Sequence, residues 1–195
     1  FMKYRQKNTI LTGLLTLGLM SFSQVSLAFT EGCQLVAKMA GPAYQTATQM
    51  VGSFTTPETM PAEFELNYLE RSGAWFIYQT ETSWFGKESC APLIKTTQAG
   101  KIQTVDFSPV IKNSQQGQFA VVTPSFMIKT YNKSDIDKMV QRYGFKLLTE
   151  LPSGGAAIFD VSGQTSYDRM LETLDRDKDI RYAAPVLSEK RYRLR

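Results

Sequence analysis

The chain has 195 residues, with 22 Lys and Arg against 18 Asp and Glu, two cysteines and no histidine. The missing histidine excludes Ser-His-Asp and Cys-His nucleophilic machinery, and two cysteines are too few for a zinc site. The net charge of +4 does not point to nucleic acid, because three basic residues lie within 1–28 and four within 190–195. Residues 29–189 carry 15 basic and 18 acidic residues, net −3, whereas a nucleic-acid binder needs a basic face on its folded body.

Taken in order, residues 1–28 read as a secretory signal peptide. Met2 is read as the start, with Phe1 an artefact ahead of it. Lys3, Arg5 and Lys7 form the basic region, Ile10 to Met20 the apolar one, and Ser26-Leu27-Ala28 a small-x-small cleavage site. The stretch is too short for a membrane anchor. The mature chain is therefore expected in the periplasm or outside the cell, without membrane attachment. Export predicts a disulfide between Cys33 and Cys90, the two cysteines of the chain.

Residues 29–112 read as an N-terminal α+β unit. Leu35, Val36, Met39 and Ala40 have helical spacing, and a helix is expected within Cys33–Val51, interrupted at Gly41-Pro42. Phe64, Leu66 and Tyr68 alternate with polar residues as in a strand. Ala74 to Tyr78 reads as a second strand, and Ile102, Val105 and Phe107 as a further one. Trp75, Phe76, Tyr78, Trp84 and Phe85 at this spacing are core candidates before they are a ligand surface. Residues 113–118, Asn-Ser-Gln-Gln-Gly-Gln, are the expected linker.

Residues 119–189 have the pattern βαββαβ. The first helix has Ser134 as its candidate cap, apolar positions Ile136, Met139, Val140 and Tyr143, and Gly144 as its end. The second starts at Thr165 or Ser166 and presents Tyr167, Met170, Leu171 and Leu174. Four apolar runs, at 126–128, 145–148, 156–161 and 180–183, surround them. Leu151-Pro152-Ser153-Gly154-Gly155 splits the middle pair as a hairpin turn. The predicted class is α+β, with a ferredoxin-like C-terminal domain. Asp175, Asp177 and Asp179 lack the glycine and terminal glutamate of a calcium loop and read as a solvated helix end. No catalytic, metal or cofactor residue is predicted, and the chain is not expected to be an enzyme.

The run Lys178-Asp179-Ile180-Arg181-Tyr182-Ala183-Ala184-Pro185, with the earlier Tyr143 to Leu151, resembles the end and second strand of subtilisin-type propeptides. The resemblance covers about the last third of the chain. Ala184 stands where that family usually has Glu. The resemblance implies that residues from Val186 leave the last strand and lie along a protease cleft. Arg195 then fills the specificity pocket and Tyr192 stands three residues earlier. The implied protease-binding residues are Tyr182, Ala184, Pro185, Tyr192, Arg193, Leu194 and Arg195, with 190–195 as a basic tail. No protease domain accompanies them, so the chain is expected to act in trans, as a chaperone and inhibitor of a secreted subtilisin- or kexin-like serine protease. It is taken as a monomer. The second reading is a non-catalytic envelope binding module that shares only the fold.

Overall fold

A computed structural model describes residues 31–98 and 100–190. The expected signal peptide, residues 1–28, and Tyr192, Arg193, Leu194 and Arg195 lie outside these residues. The described elements run α1 (Gln34–Ala40), β1 (Tyr44–Ser53), β2 (Asn67–Ser72), β3 (Trp75–Gln79), β4 (Leu93–Thr96), β5 (Thr104–Asn113), β6 (Phe119–Thr130), α2 (Ile136–Tyr143), β7 (Lys146–Glu150), β8 (Ala156–Asp160), α3 (Tyr167–Asp175) and β9 (Ile180–Glu189). The class is α+β, with antiparallel pairing throughout. The order along the sheet is β2-β3-β1-β5-β6-β8-β7, with β4 on β5 and β9 on β6.

Strand β6 is the hinge of this arrangement. Its first half pairs with β5 at Ala120 and Val121, and its second half with β8 from Ser125 to Lys129. Along its other side runs β9, from Ala120–Glu189 to Thr130–Ile180. The C-terminal strands therefore stand in the order β9-β6-β8-β7. Helices α2 and α3 cover one face. Phe126, Ile128, Phe159, Met139, Tyr167 and Leu174 are fully buried between sheet and helices. Burying each such side chain contributes roughly 1.5–3 kcal/mol.

Both helices keep their expected apolar stripes. Ser166 caps α3, its hydroxyl accepting from the Arg169 N–H at 3.3 Å. Ser134 does not cap α2, because residues 133–135 form a 3₁₀ turn ahead of the helix. Gly144 ends α2, its N–H donating to the Val140 carbonyl at 3.0 Å. Gly154 and Gly155 turn the β7–β8 hairpin, both at φ 67°, a conformation glycine takes without steric cost.

The N-terminal half departs from the sequence reading in two places. Helix α1 stops at Ala40, and residues 44–53 are strand β1 instead of more helix. Gly41-Pro42 breaks the helix, and Tyr44 to Thr46 pair with Ile111 to Asn113. The strand expected from Phe64 begins only at Asn67, because Ala62–Phe64 form a 3₁₀ turn after Pro61. Their apolar alternation is satisfied without a ladder: the Phe64 ring meets Phe107 edge-on at 5.6 Å.

Residues 113–118, expected as a linker, are the hydrogen-bonded loop of the β5–β6 hairpin. The Asn113 N–H donates to the Gln118 carbonyl at 2.8 Å, and the Asn113 side chain accepts from the N–H groups of Gln115 and Gln116. One core runs past this point, joining Val36, Val51 and Phe107 to Phe126, Tyr167 and Leu171.

On the other face the sheet curls around a smaller cluster of Trp75, Ile77, Val110 and Val121. The curl brings β2 to β9. The Ser72 hydroxyl donates to the Ser188 carbonyl at 3.1 Å, and the Ser188 hydroxyl to the Ser72 carbonyl at 3.4 Å. Gly52 makes this curvature possible, because a Cβ there would stand 2.8 Å from Cγ2 of Val121. Gly52→Ala is expected to lower the unfolding free energy by about 1–3 kcal/mol through overpacking. Adding Val121→Ala should recover part of that loss. Urea denaturation of the single and double variants checks it; a neutral Gly52→Ala would mean the β1–β6 approach has room to spare.

Candidate functional site

Strand alternation puts Phe126 and Ile128 on the helix-covered face and Met127 and Lys129 on the opposite, open one. Met127 stands opposite Ile158 in β8 and Ala184 in β9, so an apolar row crosses three strands. Lys129 lies opposite Ala156 and Tyr182 on one side of that row. On the other side Ser125 faces Asp160, which faces Lys146. Leu148, at the bulge in β7, is 49% exposed and widens the apolar strip.

The structure places the three described members of the predicted set on β9, each in a different setting. Tyr182 is exposed, but its hydroxyl donates to the Met39 carbonyl of α1 at 3.2 Å. Ala184 is buried within the open-face row. Pro185 is buried where the β6–β9 ladder skips from Phe126 to Val122. A residue without an N–H fits such an irregularity.

The expectation that the chain leaves the sheet at Val186 is corrected here. Leu187, Ser188 and Glu189 continue in register opposite Val122, Val121 and Ala120. The Thr123 hydroxyl donates to the Val186 carbonyl at 2.6 Å. Tyr44 donates its hydroxyl to the Glu189 carboxylate. The β propensity of Val186-Leu187 and the long partner strand β6 carry the ladder four residues further than the resemblance implies.

A second cluster, unforeseen from sequence, joins α1 to α3. Cys33 and Cys90 form a disulfide with S–S 2.05 Å, as expected. Around it, the Tyr167 N–H donates to the Cys90 carbonyl at 2.7 Å, and the Ser166 hydroxyl to the Lys87 carbonyl at 2.6 Å. Lys87 pairs with Glu172 at 2.9 Å, and Arg169 with both Glu88 and Glu172. Asp168 lies wholly buried beneath these pairs, and its Oδ1 accepts from the Val36 N–H at 3.0 Å. Its Oδ2 has no hydrogen-bonding partner among the described residues. Burial pushes this carboxyl above the ordinary aspartate range, against the opposing pull of the backbone N–H groups of Val36, Cys33 and Leu35. The cluster holds α1 against α3, and Lys87, Arg169 and Glu172 also line a cleft of about 670 Å³ together with Leu35, Arg181 and Tyr182.

The aspartates after α3 are likewise structural. Arg142 pairs with Asp177 and with Asp179, the latter at 2.9 Å, and the Tyr143 hydroxyl donates to Asp177 at 2.5 Å. Asp177 resists burial and stays below the ordinary aspartate range through Tyr143, the Asp179 N–H and Arg142. The reading of a solvated helix end is corrected for Asp177 and Asp179, which tie α2 to the approach to β9, whereas Asp175 is exposed as expected. No three His, Cys, Asp or Glu residues among those described are grouped to hold a metal. No helix among them is long and apolar enough to cross a membrane.

The aromatic set belongs to the core. Trp75, Tyr78 and Phe85 are buried. Trp84 meets Phe107 edge-on at 5.0 Å, with the Lys95 ammonium 3.5 Å above its ring. No family model, curated protein or solved structure matches the chain.

Proposed function

We propose that the protein is a secreted or periplasmic binding partner of a subtilisin- or kexin-like serine protease, which it helps to fold and inhibits. The observation that carries the reading is the strand order β9-β6-β8-β7, with both helices on one face and an apolar row open on the other. That order is the one a ferredoxin-like sandwich has, and the propeptide-like run 178–185 lies on its edge strand. The disulfide fits an exported chain.

In this reading the open face packs against the protease, and Lys190 to Arg195 enter its cleft as an added strand with Arg195 in the specificity pocket. An arginine there calls for an acidic pocket. A partner that binds the native protease and not the unfolded chain shifts folding by mass action. Ala184 removes the acidic docking group common in such propeptides, so the apolar row Ile158–Met127–Ala184 makes the contact. The same observation favours the second reading, an envelope binding module, should no protease be bound.

The test is an inhibition titration of a kexin-like subtilase with residues 29–195, run beside a chain ending at Glu189. Inhibition by the longer chain, weakened at least a hundredfold in the shorter, is expected. Equal inhibition would remove the tail from the mechanism and leave the sheet. No inhibition by either would reject the protease reading.

A further inference from the structure

Helices α1 and α3 and strand β9 border the cleft of about 670 Å³ into which Lys87, Arg169 and Glu172 face, a size at which clefts hold ligands. Helix α1 contributes Leu35, Lys38 and Met39, whose spacing of three and four residues puts them on one helix face. Helix α3 contributes a run from Arg169 to Arg176, about 10 Å along its axis. Strand β9 pairs only with β6 among the described residues, and α1 is fastened to it by the Tyr182 hydroxyl, which donates to the Met39 carbonyl.

The lining is sorted by charge. It holds Lys38, Lys87, Arg169, Arg176 and Arg181 against Glu172 and Asp175. Outside the cleft, residues 29–189 hold ten basic and sixteen acidic residues. A positive depression on an otherwise negative body focuses its field there and draws anions. Lys87 and Arg169 are already engaged by Glu172 and Glu88. Arg176 and Arg181 are exposed, and neither guanidinium has a partner among the described residues. Between Arg169 and Arg176, Leu171 and Leu174 give the cleft an apolar floor, and Tyr131, 65% exposed, lines it as well. Arginine and tyrosine are enriched where protein interfaces bind most strongly. The chain's residues outside the described part do not match this charge: 1–30 and 191–195 include six basic residues and no acidic one.

We infer that this cleft binds an extended acidic segment of another protein, with one carboxylate on the free guanidiniums of Arg176 and Arg181, apolar side chains over Leu171 and Leu174, and a second carboxylate towards Arg169. Three extended residues cover about 10 Å, the span from Arg169 to Arg176. Arginine suits the first contact because its planar fork meets a carboxylate through two parallel hydrogen bonds. The inference goes beyond the protease reading and uses neither the apolar row nor the tail, so either can fail alone.

The test uses the mature chain, residues 29–195, and a fluorescent peptide with the core Glu-Leu-Leu-Glu, beside a control with Gln-Leu-Leu-Gln. Fluorescence anisotropy should show the acidic peptide bound at least about tenfold tighter than the control. Arg176→Glu/Arg181→Glu should weaken that binding at least about tenfold, with an unchanged thermal midpoint because both side chains are exposed and unpartnered. Asp175→Asn removes a carboxylate from the lining and should tighten binding about threefold. Lys101→Glu/Lys146→Glu makes the same change in net charge as the arginine pair, away from the cleft, and should bind as the wild type does. Equal binding of the two peptides, or equal binding by the arginine variant, would overturn the inference. Loss of binding in a chain ending at Glu189 would overturn it by assigning the peptide to the basic tail. Displacement of the peptide by succinate at equal concentration would overturn it in favour of a small dicarboxylate. Self-association that the acidic peptide disperses would overturn it in favour of a second copy of the chain.

Discussion

Replacing Cys33 and Cys90 together by alanine is expected to lower the unfolding free energy by about 4 kcal/mol. The bridge spans 57 residues, and a loop of that length loses much chain entropy when it is closed in the unfolded state. Closure is not its whole effect. Helix α1 has seven residues, too few to persist by propensity alone. It is held by Val36 and Ala37 in the core, by Asp168 at its N-terminus and by the disulfide. Without the bridge, the Val36 and Ala37 amides should exchange faster than those of β6, because α1 can then open separately. Urea denaturation combined with amide exchange reads both effects. A loss below about 1 kcal/mol, with α1 exchange unchanged, would mean that Asp168 and the Lys87, Arg169 and Glu172 pairs hold the junction unaided.

The C-terminal half was largely legible because its signals are local. Tyr167, Met170, Leu171 and Leu174 recur at helical spacing, and Gly154-Gly155 can turn a chain without help from elsewhere. The N-terminal half was less so. Tyr44 to Ser53 has no strong local preference, and its partners at 76–79 and 108–113 decide that it is a strand. The polar run 113–118 has the composition of a linker, and the pairing on either side makes it a hairpin loop. Of the candidate site, the alternation of β6 was readable, whereas the alignment of Met127 with Ile158 and Ala184 depends on two registers that sequence does not specify. Asp168 was missed for a related reason. An acid in the first turn of a helix looks like an ordinary response to the helix dipole, and nothing local says that α1, 132 residues earlier, will lie on top of it.

Asp168 therefore supplies the second large expected effect, and its sign is opposite to that of the other carboxylates. Glu88, Glu172 and Asp135 are held below their ordinary range, chiefly by hydrogen bonds from Arg169, Lys87 and Lys138 respectively. They contribute stability above their unfolded values that is lost as pH falls. Asp168 is raised, chiefly by burial. Its folded state favours the protonated form, so its contribution is complete below the unfolded aspartate value of about 3.9 and is lost as pH rises through the raised folded value. Asp168→Asn keeps an oxygen for the Val36 N–H and removes the titration. Relative to wild type, it should gain stability as pH rises above the unfolded aspartate value of about 3.9, until the raised folded value is passed. Asp168→Ala instead leaves the Val36 N–H buried without an acceptor and should cost about 1–3 kcal/mol at pH 4. Unfolding free energies of the three proteins between pH 4 and 8 separate these effects. If the difference between wild type and Asp168→Asn stays flat across that range, the carboxyl does not titrate within it. If Asp168→Ala matches wild type at pH 4, the bond to Val36 is not what holds α1 in place.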